Sequence, residues 1–405
     1  MPDPSAAKKE LPPVMSPATR NDPKAKMKNT VCIHHHLLVA LAVVLLSACG
    51  APRTDLPSVE SAAAELEAKK QREFVLEAFV DQQMRLERVG TPILRSAVSF
   101  CEKKRRYTTG AWFWTKSAFP EGLQEAAASK FGASDAVQVG PVREGSPAAE
   151  AGLEMGDVLV AVNDWTVPTG SGAFIVFIEH LNELLMHPSP LVFAVLREQA
   201  PLRFSIKPEE ICDYRLIVEQ SDDKNAYADG ERIVVFKGMM EFLRTDEELA
   251  TVVAHETAHN VMGHIDAQKT NAVVGGLLGL ALDVAAAAAG INTQGGFSKL
   301  GSQAGAGTFS VEFEQEADYV GLYLMARADY DETKAPNLWR RMAVQNPDSI
   351  QHRTTHPTTP ERFVALEKTV AQIEQKRTAR LPLDPEMKPV STQSPKPAPQ
   401  SHDMN

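Results

Sequence analysis

Five consecutive residues, His255-Glu256-Thr257-Ala258-His259, carry the clearest chemistry in the chain. Two histidines four residues apart share one face of a helix, so both imidazoles can reach a single ion. Zinc favours nitrogen donors in tetrahedral geometry, and a catalytic site keeps one position open for water. Glu256 follows the first histidine and could take a proton from that water. A third donor is still needed, and Glu314 can supply it. Glu314 and Asp318 are also four residues apart, hence on one helix face, and Asp318 could accept the outer N–H of a ligand histidine and fix its tautomer. Glu312 and Glu316 fall off that face and read as solvated helix charges.

The elements that must hold these residues are legible around them. Thr245-Asp246-Glu247-Glu248 has the form of a capping box, opening a helix that runs to about His264. Tyr214 to Val218 and Ile233 to Phe236 read as strands with a polar turn around Ser221 to Lys224. Residues 58–97 read as a long packing helix with Pro92 marking a kink or break near its end, and a further helix is expected at about 361–379. Ala272 to Gly290 is apolar and long enough to span a bilayer. A single crossing would separate His259 from Glu314, so the stretch is expected to be a buried or re-entrant hairpin covering the site. The glycine-rich residues 290–307 are expected to form a mobile lid. Residues 382–405, rich in Pro, Ser, Gln and Lys, read as a disordered tail.

A second pattern precedes this part. Gly145-Ser146-Pro147-Ala148-Ala149-Glu150-Ala151-Gly152-Leu153 is followed by Met155-Gly156-Asp157-Val158-Leu159-Val160. Ser146-Pro147 opens a short helix, Gly152 ends it, and Gly156-Asp157 turns the chain into an apolar strand. With Ala136 to Val139 and Leu191 to Arg197 as further strands, the stretch closely resembles a bacterial PDZ domain. The resemblance implies capture of an extended peptide or C-terminus by strand addition. Phe131 and Gly132 are the nearest candidates for its carboxylate-binding loop. The aromatic residues Trp112, Phe113 and Trp114 are expected to be local core beneath a loop.

Taken together, His255 to His259, then Glu314-Gln315-Glu316-Ala317-Asp318, then Thr355-His356-Pro357 with Arg362 six residues after His356, resemble the HtpX-like and BepA-like gluzincin zinc metallopeptidases, the family that includes the CAAX prenyl endopeptidases. The resemblance covers roughly residues 213–365. It implies one zinc ion per chain, Glu314 as third ligand, and a role for His356 near the metal, in stabilising the oxyanion or capping the ion at rest. It also implies that the strand around Ile233 to Phe236 holds substrate as an added antiparallel strand. Arg362 would pair with an acid of the site or pack the C-terminal helix. The chain departs from these relatives in having neither several spanning helices nor C-terminal helical repeats, so their substrates do not transfer.

The beginning of the chain resembles a lipoprotein signal. Lys24, Lys26 and Lys28 precede an apolar run of about 12 residues from Leu37 to Ala48, too short to span a bilayer as a mature helix. The run ends in Leu46-Ser47-Ala48-Cys49, similar to a lipobox, which implies cleavage before Cys49 and lipidation of its thiol. Gly50 after it implies sorting to the outer membrane, and Met27 is a candidate start. Cys101 and Cys212 remain as a possible disulfide, since an exported protein meets oxidising conditions. The net charge of −10 and the absence of a basic stripe argue against a nucleic-acid partner.

The expectation is therefore an α+β fold: a mainly helical gluzincin domain with a small β-sheet, carrying an inserted β-rich PDZ domain. The expected map is residues 1–48 as extension and signal, 49–105 as linker and long helix, 118–208 as PDZ domain, 212–381 as metallopeptidase domain and 382–405 as tail. The implied function is zinc endopeptidase activity on protein or peptide substrates in the bacterial cell envelope, lipid-anchored and facing the periplasm. The alternative is a PDZ-based chaperone or peptide-binding lipoprotein with a latent peptidase site.

Overall fold

The computed structural model describes residues 54–289, 291–306, 310–345 and 359–388. The proposed signal, Cys49, His356 and the tail beyond 388 lie outside the described residues. The chain divides into two compact units, Met1–Ala64 and Glu65–Asn405. Of the first, the described part is an extended stretch and the opening turn of a helix.

That helix, α1, spans Ser61–Ser96 with Pro92 inside it. Its second half buries Leu86, Val89, Ile93 and Leu94, the spacing of one helix face. Strands β1 (Arg105–Thr108) and β2 (Ala111–Trp114) follow, then α2 (Gln124–Phe131), β3 (Gln138–Val142), α3 (Pro147–Ala151), β4 (Val158–Val162), β5 (Trp165–Thr166), α4 (Ala173–Leu184), β6 (Leu191–Arg197), β7 (Ala200–Ile206) and β8 (Glu209–Cys212). Next come β9 (Arg215–Glu219), β10 (Ala226–Ala228), β11 (Arg232–Phe236), α5 (Lys237–Phe242), α6 (Asp246–Val261), α7 (His264–Ala288), α8 (Gly296–Ala306), α9 (Ser310–Arg327), α10 (Ala335–Gln345) and α11 (Pro360–Thr378).

The antiparallel sheet β2-β3-β4-β6-β7, with β5 on β4, forms the PDZ-like module. Its sheet begins at Ala111, ahead of the expected boundary at 118, because Phe113 fills the module's core. The Phe113 ring stacks on Phe193 at 5.8 Å and meets Phe177 of α4 edge-on at 5.0 Å. The Ser146 side chain caps α3 by accepting from the Ala149 N–H, and Gly152 ends that helix in the left-handed region. Phe131 stacks on Trp114, and Gly132 closes α2 with φ +66°, so both serve local packing and the end of α2.

The module enters and leaves through an antiparallel ribbon of β1 and β8, in which Arg105 faces Cys212. Cys101 and Cys212 are joined by a disulfide across 111 residues of sequence. Arg143 of the module also pairs with Glu209, which in turn holds Arg95 of α1 at 3.2 Å.

The second sheet runs β10-β11-β9, with β11 parallel to β9 and antiparallel to β10. Ile233 to Phe236 therefore lies in the central strand, and the expected addition of a substrate strand there is excluded because both its sides are occupied. On the β9 side, the Gln83 amide of α1 donates to the Leu216 carbonyl and accepts from the Val218 N–H, both at 2.8 Å. Gln83 thus satisfies that strand as a neighbouring strand would. Among the described residues, β10 has a strand partner on one side alone.

The apolar segment is a hairpin of α7 and α8, as expected, but it is not buried. Leu277 is 61% and Leu278 67% exposed. The helices touch through glycine: a Cβ on Gly279 would lie 2.0 Å from the Phe297 carbonyl oxygen. At the hairpin tip the Asp283 carboxylate accepts from the Phe297 N–H at 3.1 Å and the Ser298 N–H at 2.8 Å, capping α8. Hydrogen bonds from the Ser298 and Thr293 hydroxyls and from these backbone groups pull its carboxyl down to about 2. The expected lid is largely this ordered helix. By length and composition α7 is the one helix among the described residues able to cross a membrane.

Residues 381–388 follow α11 and lie against the main helical core rather than starting a free tail. Leu383 packs on that core, and the Glu386 N–H donates to the Tyr319 hydroxyl at 2.9 Å.

Removing the disulfide frees a long loop in the unfolded chain. Cys101→Ala with Cys212→Ala is expected to lower the unfolding free energy by up to about 4–5 kcal/mol by the chain-entropy argument, read as a drop in the urea midpoint. An unchanged midpoint would mean that the ribbon alone holds the junction.

Candidate metal centre

Helix α6 places the two histidines. The Thr245 side chain accepts from the Glu248 N–H at 3.3 Å, and the Glu248 carboxylate accepts from the Arg244 N–H at 2.7 Å. Arg341 of α10 holds the same carboxylate. These bonds satisfy donors that the first helical turn leaves unpaired. From Leu249 to Asn260 every residue of α6 is buried, so this is a core helix packed on all sides. Asn260 ties its end to the β10–β11 turn, accepting from the Gly230 N–H at 2.8 Å and donating to the Arg232 carbonyl at 3.2 Å.

Helix α9 crosses α6 at Gly321, where an added Cβ would stand 3.2 Å from the Ala254 carbonyl carbon and the His255 nitrogen. Glycine eases this approach, since a Cβ there would require the neighbouring backbone to give by a few tenths of an ångström, and the approach brings Glu314 and Asp318 of α9 to the histidines. His255 Nε2 lies 3.2 Å from His259 Nε2 and 3.4 Å from a Glu314 oxygen, and His259 Nε2 lies 3.3 Å from the other Glu314 oxygen. Donor atoms on a tetrahedral zinc at ~2.0–2.1 Å stand ~3.3–3.4 Å apart, so the spacing of the two imidazole nitrogens suits such an ion, with one Glu314 oxygen beside each ring. His255, His259 and Glu314 are all buried, and together they could hold a metal.

The surroundings fit the same reading. Asp318 lies 3.0 Å from His255 Nδ1. Arg362 of α11 grips Asp318 with two nitrogens at 2.7 and 2.8 Å and reaches Glu314 at 3.1 Å. Its guanidinium also lies over the Trp339 ring, 5.3 Å from the centroid. Burial alone would push His255 down, but the Asp318 and Glu314 carboxylates outweigh it and raise the imidazole to about 10. Burial likewise opposes ionisation of Asp318, and Arg362 with His255 overcomes it and holds that carboxyl low. Binding of a divalent ion at these imidazoles would require their ligating nitrogens to be unprotonated.

Two neighbours escape a reading of spacing alone. Gly263 adopts φ +73° after α6 and returns the chain so that His264 is buried beside His259. His264 Nδ1 lies 3.0 Å from His259 Nδ1, and His264 Nε2 lies 2.8 Å from the Glu316 carboxylate. The Phe313 ring stacks on His264 at 4.5 Å. Glu316, expected as a solvated charge, therefore has a specific partner, though it remains partly exposed. The signal was a histidine just past a helix-ending glycine, which shows a turn but not what the returning side chain meets. Glu256 is buried in α6 next to His255.

Residues 192–370 match the family model of peptidase family M48, and residues 138–172 match that of the PDZ domain. The mitochondrial metalloendopeptidase OMA1 of Schizosaccharomyces pombe is 33% identical over 172 residues, covering 40% of this chain and 49% of the yeast protein. The beta-barrel assembly-enhancing protease of Escherichia coli K12 is 26% identical over 140 residues, covering 33% of this chain and 28% of that protein. The chain thus spans half or less of the length of these relatives. Among solved structures, an HtrA3 PDZ domain bound to a phage-derived ligand is 26% identical with a TM-score of 0.20, covering 26% of this chain and 88% of that domain.

Arg362 is the sole cation besides His255 seen contacting both acids among the described residues. Arg362→Met is expected to cost about 3–5 kcal/mol of stability, because it strands buried carboxylates without their partner. Thermal or urea unfolding of the metal-free protein checks this; a loss below about 1 kcal/mol would show that the acids take up protons and tolerate its absence.

Proposed function

We propose, on the premise that residues 192–370 form a peptidase family M48 region joined to a PDZ domain, that this chain is a zinc-dependent endopeptidase of the bacterial cell envelope. The observation that carries the reading is the buried cluster of His255, His259 and Glu314, whose imidazole Nε2 atoms lie 3.2 Å apart with a Glu314 oxygen 3.4 and 3.3 Å from each in turn. Zinc held there would lower the pKa of water to about 7 and polarise a carbonyl. Glu256 would accept the water's proton and pass it to the departing amine. Asp318 would hold His255 from behind. His356 remains the candidate for stabilising the oxyanion or capping the ion at rest.

Substrate would bind as an extended strand on the β10 edge, Ala226–Ala228. Support comes from the pairing pattern: β11 is enclosed, β9 is sealed by Gln83, and β10 lies beside α6. The PDZ module would recruit envelope proteins, misfolded or unassembled ones, by a C-terminus or extended segment. Lipidation at Cys49 would keep the enzyme at the outer membrane facing the periplasm. The support for that location is the Leu46-Ser47-Ala48-Cys49 motif. The alternative, peptide capture with a latent peptidase site, rests on the PDZ pattern alone.

Glu256→Gln is expected to keep stoichiometric zinc while cleavage of an unfolded protein such as casein falls by about 10²–10⁴-fold, the usual contribution of a positioned acid–base group. Full cleavage by the zinc-loaded variant would reject Glu256 as the base. Stoichiometric zinc in the unmodified protein, with tight C-terminal peptide binding and no cleavage of any unfolded substrate, would favour the latent reading.

A further inference from the structure

Each histidine at the candidate metal centre needs its remote nitrogen held, because that bond decides which tautomer faces the ion. For His255 the holder is the Asp318 carboxylate at 3.0 Å. The remote nitrogen of His259 meets another imidazole, His264, at 3.0 Å between the two Nδ1 atoms. Two imidazole nitrogens bond only when one donates and the other accepts.

Glu316 decides which. An ionised carboxylate only accepts, so at 2.8 Å from the Glu316 oxygen, His264 Nε2 carries the hydrogen. Neutral His264 then has a lone pair on Nδ1. His259 Nδ1 must donate to it, and that leaves the His259 lone pair on Nε2. Nε2 is the atom that stands 3.2 Å from His255 Nε2 and 3.3 Å from Glu314. The chain of bonds runs from a partly exposed carboxylate, through a buried ring, to the donor atom.

Packing keeps that ring in place. His264 is 1% exposed, Gly263 turns the chain into it, and Phe313 stacks on it with an interplanar angle of 16°. Phe313 and Glu316 are three residues apart, so one face of α9 supplies both the stacking ring and the carboxylate. Glu314 and Asp318 lie on another face of the same helix, directed at the site. Helix α9 therefore serves both histidines: His255 directly, His259 through His264.

We propose that Glu316 and His264 are positioning residues that fix His259 as an Nε2 donor to the metal. The inference rests on the zinc reading of the site. Its test is zinc affinity of the full chain by competition with a chromogenic chelator, together with the visible spectrum of the cobalt(II)-substituted protein. Glu316→Ala is expected to weaken zinc about 10–100-fold, the usual effect of losing such an outer partner, and to alter the cobalt spectrum. Glu316→Gln, whose amide oxygen can still accept from His264, is expected to restore most of the affinity. Glu312→Ala, which removes the same charge from an exposed position on α9, is expected to match the unmodified protein.

Because Glu316 is 44% exposed in its side chain, Glu316→Ala should unfold at the same temperature as the unmodified metal-free protein, separating positioning from folding. Affinity and spectrum unchanged in Glu316→Ala would overturn the relay. So would equal weakening in Glu316→Ala and Glu312→Ala, which would assign the effect to charge at a distance. Failure of the unmodified protein to bind zinc would instead overturn the metal reading itself, and the relay with it.

Discussion

Two carboxylates one helical turn apart, Glu314 and Asp318, are buried in the interior at 3% and 5% exposure. Such a pair cannot stay ionised away from water without cations to face it. Much of the architecture around the site answers that demand. Arg362 arrives from α11 and binds both acids, His255 arrives from α6, and a divalent ion would complete the balance. The C-terminal helix is therefore tied electrostatically to the centre of the molecule, although more than 40 residues separate Arg362 from Asp318 in sequence.

The same demand explains why α6 and α9 must approach so closely. A Cβ at Gly321 would stand 3.2 Å from the Ala254–His255 backbone, tight enough that the two helices would have to give by a few tenths of an ångström. Around this contact, α1 backs the small sheet through Gln83, and Asn260 ties the end of α6 to the β10–β11 turn. Among the described residues, the donors are held by helix packing and by side-chain clamps on backbone groups. The three buried donor residues lie close enough together that they could hold a metal ion.

The PDZ-like module and the α7–α8 hairpin stand differently toward this centre. The module has its own aromatic core and joins the rest through a ribbon, a disulfide and the Arg143–Glu209 pair. The hairpin grows out of α6 immediately beyond His264 and exposes apolar side chains along much of its length. Asp283 near its tip is turned inward to cap α8. The hairpin occupies the sequence between the second histidine and Glu314, so its root and the donor set are mechanically continuous.

The chemistry-bearing residues were legible because their spacing is local. The separation of His255 from His259, and of Glu314 from Asp318, is one helical turn, and helix periodicity alone puts each pair on a face. The Thr245 cap, the Ser146-Pro147 helix start and the Gly152 stop were legible for the same reason: each is a short-range backbone requirement. What the chain order could not reveal was what meets across long separations. That Ile233 to Phe236 is a central strand, that Phe113 belongs to the module's core, that the apolar hairpin faces outward, and that Glu316 reaches His264 all depend on distant segments packing together. Periodicity assigns a residue to a face; only the packed tertiary structure decides what that face meets.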